Sequence, residues 1–579
     1  MSPHVVTSDL LAVARGDAPA DILFTNARII NTFTCEVEDG CVATHAGRIA
    51  ATGPRGMYTQ ARETIDLKGA YLAPGLLDAH MHVESTMLPP SEFVRLAVPH
   101  GTTGAVFDPH EIANVLGIPG IKYIITDAAG LPFEAMFAIS SCVPSSPLET
   151  SGARLEAHDL EPLFEISRVV ALAEMMNFPG VVHADERVLA KVNLGLANRI
   201  VDGHAPSLRG RHLRAYASAG ISSDHECTTA EEALEKARLG IRIFIREGSA
   251  AKNLDALLPV VTPANAHLFC FCTDDRHPAD LHEEGHIDHV VRRAIKAGLD
   301  PCRAIAMGSL HTARHYRRSD LGAIAPGYLA DVFIFDDLKA PRARLVYKNG
   351  ELVARNGEYL PASSTREPPP RSAVKLPRHL TESAFRVKQS RAGSNIRIIE
   401  MHPGQIVTGE SVQAPLVRDG EILADPSRDI AKLAVIERHT GSGNIGIGFV
   451  HGFGLREGAI ASTVGHDSHN LAILGTNDAD MLLAAKTLAS CGGGQCAVRE
   501  GKLIALLTLP IAGLMSDQPA KRVIEDQAVL LRATKELGCT VEDPFMPLSF
   551  MCLPVIPKLK VTDLGLVDVE KFAVVELEV

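Results

Sequence analysis

Long apolar stretches are missing from this 579-residue sequence. No segment of about 18 uncharged apolar residues occurs, which is the length that a membrane-spanning helix needs. Residues 1–20, MSPHVVTSDLLAVARGDAPA, also lack the basic start and the apolar stretch of an export signal. We therefore expect neither membrane spanning nor export.

A basic stripe is also missing. The chain has 57 Lys and Arg against 69 Asp and Glu, and its formal charge of −12 is spread along the sequence. Because nucleic-acid binding needs a clustered positive surface, no nucleic-acid partner is expected. The 11 cysteines form no regular framework, and Cys270 and Cys272 lie inside an apolar run, as free thiols do in a reducing compartment. This predicts a cytoplasmic protein.

The composition that is present is that of a globular enzyme. Apolar residues make up 46% of the chain and charged residues 22%, with a mean hydropathy of +0.09. The length exceeds what one hydrophobic core normally serves, so two to four structural units are expected, at roughly 100–250 residues each.

One unit recurs between residues 71 and 320: a short apolar run, a polar tip and then a helical segment. Eight such runs occur, namely YLAPGLLDAHMH, TTGAVFDPH, FEAMFAISSC, VVALAEMM, RIVDGH, AGISSDHE, IRIFIREGS and HLFCFCTDD. Sequential βα units favour parallel strands, and eight of them match the size and count of a closed barrel. The predicted fold class is α/β, with a TIM-like (β/α)8 barrel.

The segments that flank the barrel have β character. Strand-like runs with turn signals fill residues 21–70 and return after residue 321, where Asn349-Gly350 and Asn356-Gly357 read as hairpin turns. A linker rich in Pro, Ser and Arg follows, and then a long stretch of mixed strand-like and helix-like character. The predicted division is a small split β-sandwich domain (1–70 and 321–362), the barrel (71–320), a linker (363–379) and a C-terminal α/β domain (380–579).

Six residues of the types that bind metal ions (His, Glu and Asp) lie at the ends of the predicted barrel strands. His80 and His82 are two apart in one strand, so the two residues lie about 6.6 Å apart along the chain and their rings face the same side. The isolated pair could be a hydrogen-bonded strand end, but other runs also close on ligand-type residues. In a barrel all of them point at the same mouth. A divalent cation is the partner that satisfies such a set, which comprises His80, His82, Glu174, His204, His225 and Asp274.

Six ligands exceed the need of one tetrahedral ion, which commonly takes three from the protein. Two ions about 3.5–4 Å apart would use them all, with Glu174 bridging. His80, His82 and Asp274 would hold one ion, and His204 and His225 the other. A water between the ions would become a hydroxide nucleophile, and Asp274 would accept its proton. The adjacent Asp275 is the alternative base, but strand alternation places it on the opposite face.

Longer motifs carry a family resemblance. DAHMH, the strand-four carboxylate, the two single histidines, TDD and GAIAPGYLADVFIFD resemble the amidohydrolase superfamily. HVESTMLPPSEF, GTTGAVFDPHEIANVLG, LAEMMNFPGV, SSDHECTTAEEALEKARLG and STVGHDSHNLAILGTNDADM are similar to the bacterial adenine deaminases within it. The resemblance covers nearly the whole chain. It implies hydrolysis of adenine to hypoxanthine and ammonia at a binuclear centre filled with Mn2+ or Fe2+, with Zn2+ also compatible with the ligands.

Such a reaction needs an acid for the purine ring nitrogen N1. Candidates lie in DPHE, where Asp108, His110 and Glu111 would bind the substrate, and beside His225, where Glu226 could serve with Glu111 in catalysis. The alternative for DPHE is plain loop structure, with Asp before Pro favouring a turn and Glu111 charging the first turn of a helix. Glu84 is similarly open, as a partner of an imidazole or as a surface charge.

HDSHN, His466–Asn470, is a motif of the last domain. Its two histidines could reach across as a lid or a further metal site, but local hydrogen bonding is the favoured interpretation. A separate domain packed over the mouth would exclude water.

Two rival functions stay open at this stage. A cyclic-amide hydrolase of the same superfamily, of the hydantoinase or dihydropyrimidinase type, would also use two metals, but it usually bridges them with a carbamylated lysine where this chain has Glu174. A catalytically inactive scaffold should have lost ligands, whereas all six are present. A homodimer or a higher homo-oligomer is expected.

Overall fold

The computed structural model describes residues 6–249, 251–361, 368–371 and 373–579. It begins with a short helix and five strands: α1 (Ser8–Arg15), β1 (Ala20–Asn31), β2 (Glu36–His45), β3 (Arg48–Gly53), β4 (Ala61–Asp66) and β5 (Tyr71–Pro74). Strand β1 pairs antiparallel with β2 and parallel with β4 and β5. The β character predicted for this segment is confirmed. In the described part of the chain, no helix is both long and apolar enough to cross a membrane.

Eight parallel strands follow, one for each predicted run. A five-stranded sheet and a three-stranded sheet contain them: β6 (Leu76–Met81), β7 (Thr102–Phe107), β8 (Glu134–Ile139), β9 (Val169–Met175), β10 (Ile200–Gly203), β11 (Ser223–Asp224), β12 (Arg242–Arg246) and β13 (Phe269–Cys272). Parallel bridges join the two sheets at both seams, between Val201 and Ile221 and between Met81 and Asp274. The strands therefore close into a barrel, which confirms the predicted fold class.

Helices follow the barrel strands. They are α2 (Pro90–Ala97), α3 (His110–Leu116), α4 (Ile118–Asp127), α5 (Ala157–Leu160), α6 (Phe178–Val182), α7 (Glu186–Asn198), α8 (Gly210–Ser218), α9 (Ala230–Arg238), α10 (Leu254–Leu257), α11 (Pro278–Glu283), α12 (Ile287–Lys296), α13 (Pro301–Met307) and α14 (Leu310–His315). Alternate residues of a strand enter different buried clusters, because successive side chains face opposite sides. Phe137 and Ile139 pack with the helices, whereas Met136 and Ala138 join a separate cluster with Phe244.

The chain then returns to the first sheet. Strands β14 (Val332–Phe335), β15 (Leu345–Lys348), β16 (Glu351–Arg355) and β17 (Glu358–Tyr359) extend it, because β14 pairs antiparallel with β5. The result is one nine-stranded sheet built from both flanks of the barrel. Asn349-Gly350 and Asn356-Gly357 join successive strands with positive φ at all four residues, as the predicted hairpin turns require. Tyr71–Pro74 lies just past the boundary predicted at residue 70, and the division into domains stays a prediction.

The last part of the chain forms a second α/β unit. Its strands are β18 (Val387–Lys388), β19 (Ile396–Met401), β20 (Thr408–Gln413), β21 (Leu416–Arg418), β22 (Glu421–Leu423), β23 (Ile430–Ile436), β24 (Ile445–His451), β25 (Ala459–Ser462), β26 (Leu471–Gly475), β27 (Gly494–Arg499), β28 (Lys502–Thr508), β29 (Leu559–Thr562), β30 (Gly565–Asp568) and β31 (Ala573–Val574); its helices are α15 (Asp478–Cys491), α16 (Ala520–Glu536) and α17 (Phe545–Phe550). Eight of the strands form one sheet, in the order β20-β19-β24-β23-β26-β25-β27-β28. Of the predicted linker, residues 363–367 and 372 lie outside the described residues.

The C-terminal unit packs on the barrel rim. Met87 and Leu88 of the barrel belong to the same hydrophobic cluster as the core of the C-terminal unit. Polar contacts add to this interface: the Ala520 N–H donates to Glu92 Oε2 at 2.8 Å, and His277 Nδ1 lies 3.1 Å from Asp543 Oδ2. The barrel mouth is therefore covered rather than open to solvent.

Candidate metal centre at the barrel mouth

The six predicted ligands converge at one end of the barrel. Each lies at or just after the carboxyl end of its strand, and none is more than 7% exposed. His80 lies in β6 and His82 follows its last residue, and the pairing of β6 with β7 has a register irregularity between Asp78 and Met81. The His82 Nδ1–H donates to the Asp108 carbonyl at 3.0 Å, so Nε2 is the nitrogen that faces the site.

Glu174 lies between two pairs of histidines. Its Oε1 is 3.7 Å from His80 Nε2 and 3.3 Å from His82 Nε2. Its Oε2 is 2.7 Å from His204 Nδ1 and 3.1 Å from His225 Nε2. One carboxylate thus presents one oxygen to each pair, which is the arrangement that a bridging ligand needs.

Asp274 closes the ligand set from the opposite side. Its Oδ1 lies 3.5 Å from His80 Nε2 and 3.1 Å from His82 Nε2. Its backbone is held at φ +60, a left-handed conformation that is uncommon outside glycine and often marks functional sites. Backbone hydrogen bonds at 3.0 Å link Asp274 N–H to His80 O and His82 N–H to Asp274 O. The seam of the barrel therefore fixes Asp274 against the histidine pair.

Arg246 is a buried cation that sequence reasoning missed. It is the last residue of β12 and donates through Nη1 to Glu226 Oε1 and Asp274 Oδ2, both at 2.5 Å, and through Nη2 to Glu226 Oε2 at 3.0 Å. Glu226 Oε1 also lies 3.5 Å from His225 Nε2. The sequence did contain a signal for Arg246, because this residue stands in the seventh run at the position where other runs carry candidate ligands.

The electrostatics of the site keep its carboxylates ionised. Burial alone would raise the pKa of Glu174, but His225 and His204 lower it well below the usual range. Burial would also raise the pKa of Asp274, but Arg246, His80 and His82 lower it well below the usual range. His204 shifts the other way: despite burial, Glu226 and Glu174 raise the pKa of His204 to about 9.

These residues fit divalent cations. His80 Nε2 is buried and has no hydrogen-bond partner among the described residues, although ligand atoms of His225 and Asp274 are close enough to share an ion with it. Glu174, His204 and His225 form a second group of that kind. Burying an imidazole nitrogen without a hydrogen bond or an ion costs free energy. Imidazole and carboxylate groups together are the donor set of Zn2+, Mn2+ and Fe2+.

Asp108, His110 and Glu111 lie beside the centre, as predicted for substrate-binding residues. His110 Nδ1 is 3.2 Å from Asp108 Oδ2 and 3.3 Å from Glu174 Oε1. His110 Nε2 is 3.2 Å from Glu111 Oε1. Ser140 Oγ donates to Asp108 Oδ1 at 3.2 Å. Glu111 does lie in the first turn of α3, and its carboxylate also contacts the C-terminal unit.

One expectation is corrected here, and one of the two alternatives left open for Glu84 is excluded. Asp275 does not turn to the opposite face: its carboxylate accepts from Ser85 Oγ at 2.5 Å and groups with His82 and Glu111, because the strand ends at Cys272 and the left-handed φ of Asp274 breaks the alternation. Glu84 is no surface charge, since it is 3% exposed and accepts the Ile112 N–H at 3.1 Å.

The HDSHN loop reaches the barrel, contrary to the favoured expectation of local bonding. His466 Nδ1 lies 2.7 Å from Glu111 Oε1, and His469 Nε2 contacts Glu111 Oε2. Asp467 is buried as well, and its Oδ2 has no hydrogen-bond partner among the described residues. These three residues were missed as site residues because about 350 positions of sequence separate them from Glu111, and no periodicity reports such a contact.

Comparison with known proteins adds two family matches. The amidohydrolase family matches residues 71–356, and the adenine deaminase C-terminal domain matches residues 405–573. A relative from Desulfatibacillum aliphaticivorans, named adenine deaminase, is 49% identical over 576 residues, covering 99% of this chain and all of the relative (100%). Relatives of the same name from Kosmotoga olearia and Methanothrix thermoacetophila are 46% and 45% identical, and the alignments cover 97% and 98% of this chain and 97% and 99% of theirs.

Solved structures resemble this chain more distantly. A β-aspartyl dipeptidase from Fervidobacterium islandicum AW-1 is 16% identical with a TM-score of 0.45, covering 59% of this chain and 99% of that chain. A dihydropyrimidinase from Brevibacillus agri is 14% identical with a TM-score of 0.44, covering 58% and 96%.

Proposed function

The chain belongs to the adenine deaminase family, and on that basis we propose that it hydrolyses adenine to hypoxanthine and ammonia at the barrel mouth. The observation that carries the proposal is the placement of Glu174, whose two oxygens face two separate histidine pairs inside a covered site. A hydrolytic deamination needs a nucleophilic water, a base for its proton, and an acid for the ring nitrogen.

Two divalent cations would occupy the centre. His80, His82 and Asp274 would hold one, His204 and His225 the other, with Glu174 shared, and Mn2+ or Fe2+ are the proposed ions, with Zn2+ compatible. When bound, such a pair supplies a hydroxide nucleophile near neutral pH and neutralises developing negative charge. The buried histidines and carboxylates of the site are what the protein contributes to holding them.

Asp274 is the proposed base. Arg246 occupies its Oδ2, so Oδ1, which faces the histidine pair, would bind the ion with one lone pair and use the other to accept a proton and later return it to the departing amine. The same guanidinium keeps Asp274 in the ionised form before proton transfer. The backbone hydrogen bonds to β6 hold the carboxylate in place, so little reorganisation is needed.

The purine ring is assigned to the side of Asp108, His110 and Glu111. These residues form a continuous chain of contacts that ends at Glu174. A proton for N1 would come from this group or from Glu226. The geometry favours the first source, since both oxygens of Glu226 already accept from Arg246. Glu226 would then act by holding Arg246 against Asp274.

The cyclic-amide alternative is disfavoured by the residue on strand four. Enzymes of that type usually carry a lysine for carbamylation at the bridging position, and here β9 supplies Glu174. An inactive scaffold is disfavoured because all six ligands converge. Neither alternative accounts for relatives over nearly the full length that carry the name adenine deaminase.

The deciding experiment measures ammonia release from the purines and ring opening of the cyclic amides separately. Protein reconstituted with Mn2+ is tested on adenine, other aminopurines, hydantoin and dihydrouracil, and bound metal is counted in parallel. The proposal predicts turnover of adenine, none of the cyclic amides, and about two ions per chain. Ring opening of the amides without ammonia from adenine would instead establish the alternative, and no turnover of any compound with fully loaded metal sites would favour the scaffold.

We also propose a cytoplasmic location and a homo-oligomer, with no nucleic-acid partner. All 11 cysteines are free, and most of them are buried, which suits a reducing compartment. The distribution of charge along the sequence offers no basic stripe. Light scattering of the purified protein would decide the oligomeric state.

A further inference from the structure

The C-terminal unit contributes a loop to the barrel site. We propose that His469 and His466 of this loop, Gly465–Asn470, are positioning residues of the active site that fix Glu111 and, through it, His110. The inference rests on the proposed function and goes beyond it, because it makes the C-terminal unit part of the catalytic machinery rather than a cover.

The contacts between Glu111 and the two histidines are short and buried. Glu111 is 1% exposed, and His466 and His469 are 4% and 1% exposed. His466 Nδ1 lies 2.7 Å from Glu111 Oε1, and His469 Nε2 contacts Oε2. Each carboxylate oxygen thus lies against its own histidine, with a hydrogen bond at Oε2 and a close contact without hydrogen-bond geometry at Oε1. A buried carboxylate that is hydrogen-bonded at one oxygen and packed against an imidazole at the other has little freedom to rotate, which is the condition for positioning another group accurately.

A metal ion shared by these three residues is disfavoured by the protonation of His469. The Gly465 N–H points to His469 Nδ1 at 3.2 Å, so Nδ1 is an acceptor and the proton of the neutral ring is on Nε2. A protonated Nε2 donates to Glu111 and cannot ligate a cation. Burial lowers the pKa of His469 to about 4, in agreement with a neutral ring. Glu111 and His469 therefore form a hydrogen bond.

Glu111 transmits this constraint to the centre. Its Oε1 lies 3.2 Å from His110 Nε2, and His110 Nδ1 lies 3.3 Å from Glu174 Oε1. A continuous path of contacts thus runs from the C-terminal loop to the shared carboxylate. If Glu111 were released, the imidazole of His110 would lose the partner on one of its two nitrogens and could turn about its side-chain bonds.

The loop itself is rigidly held. Arg438 donates through Nε to the His469 carbonyl and through Nη2 to Ala512 O at 2.9 Å. Asn470 Nδ2 donates to Thr150 O of the barrel at 2.8 Å. The His466 ring stacks on Phe550 with centroids 4.7 Å apart. The histidines are therefore placed before substrate arrives, so that no ordering cost falls on the reaction.

The kinetic test compares H469L with H469Q. Leucine removes the donor, whereas glutamine can present an amide N–H near the position of Nε2. We expect H469L to lower kcat by about 10- to 100-fold with little change in KM and no loss of bound metal, and H469Q to recover most of the rate. H451L is the control, because His451 also contacts a carboxylate of the C-terminal unit, Glu400, but through Nδ1 and at a partly exposed position. Wild-type kcat in H469L, or equal losses in H469L and H451L, would overturn the proposal.

A double-mutant cycle tests the route through Glu111. In an E111Q background, H469L should lower kcat far less than it does in the wild type, because the Glu111 carboxylate that His469 positions is already replaced. Full additivity would place the effect of His469 elsewhere and overturn the route. A metal count of three in the wild type and two in H469L would show a further metal site instead.

One readout needs no turnover of adenine. In protein labelled with 15N-histidine, His469 should give a neutral ring protonated at Nε2, and E111Q should shift that Nε2–H signal. A ring protonated at Nδ1, or a signal that ignores E111Q, would overturn the proposal. If the wild type lacks adenine turnover while the signal responds to E111Q, only the proposed function fails.

Discussion

Arg246 Nη1 lies 2.5 Å from Asp274 Oδ2; Arg246 is the last residue of β12, and Asp274 follows the end of the neighbouring strand β13. The pair is buried, so the guanidinium is the counter-charge that allows a base to stay ionised away from water. It also uses one oxygen of Asp274 and leaves the other for the reaction. A salt bridge thus sets both the charge and the orientation of the proposed base.

Removing Arg246 should therefore lower the rate more than it lowers metal content. R246M leaves Glu226 and Asp274 without their shared donor, and we expect kcat to fall about 10- to 100-fold. R246K keeps the charge but loses the planar fork, so it should recover only part of the rate. Steady-state kinetics with metal analysis check this. A fully active R246M enzyme would contradict the assigned role.

The choice of base is tested by two neighbouring aspartates. D274N removes the proposed proton acceptor, and kcat should fall by about 10²- to 10⁴-fold. D275N is the matched control, since Asp275 is also buried near His82 but donates nothing to the seam with β6. A larger loss in D275N than in D274N would transfer the role of base to Asp275.

Metal removal should destabilise the protein. A cation bound only by the folded chain adds about 2.7 kcal/mol when its free concentration is 100 times its dissociation constant. Stripping with a chelator should lower Tm, and Mn2+ should restore it. In E174Q the restoration should be much smaller, because Glu174 faces both histidine pairs. An equal Mn2+ response in E174Q and wild type would argue against a shared ligand.

Glu149 predicts a pH dependence of stability at the contact between the units. Burial, with Asp467 nearby, raises the pKa of Glu149 from its ordinary value of 4.5 to about 8. The folded state therefore binds a proton that the unfolded chain releases, and stability is lost as pH rises from about 4.5 to about 8. E149Q mimics the protonated form and should keep its Tm across that window. Parallel pH curves for E149Q and wild type would contradict this.

The sequence predicted the barrel and the convergence of six candidate ligands at its mouth, because both follow local rules. Eight apolar runs with polar tips became eight strands, and the ligands at their ends, from His80 to Asp274, met at one mouth. Contacts that depend on packing between distant segments were not predictable in this way. The orientation of Asp275 depends on one left-handed residue, and the approach of His469 to Glu111 depends on how the second unit packs.

The barrel seam has a consequence for how the protein is made. His80 and His82 emerge early in synthesis, but Asp274 and its hydrogen bonds to β6 exist only once β13 has been added. A growing chain that stops short of β13 exposes two histidines with neither their carboxylate partner nor a closed mouth. We expect cations to be captured tightly only after the last barrel strand has docked, so that maturation of the enzyme waits for the end of barrel folding.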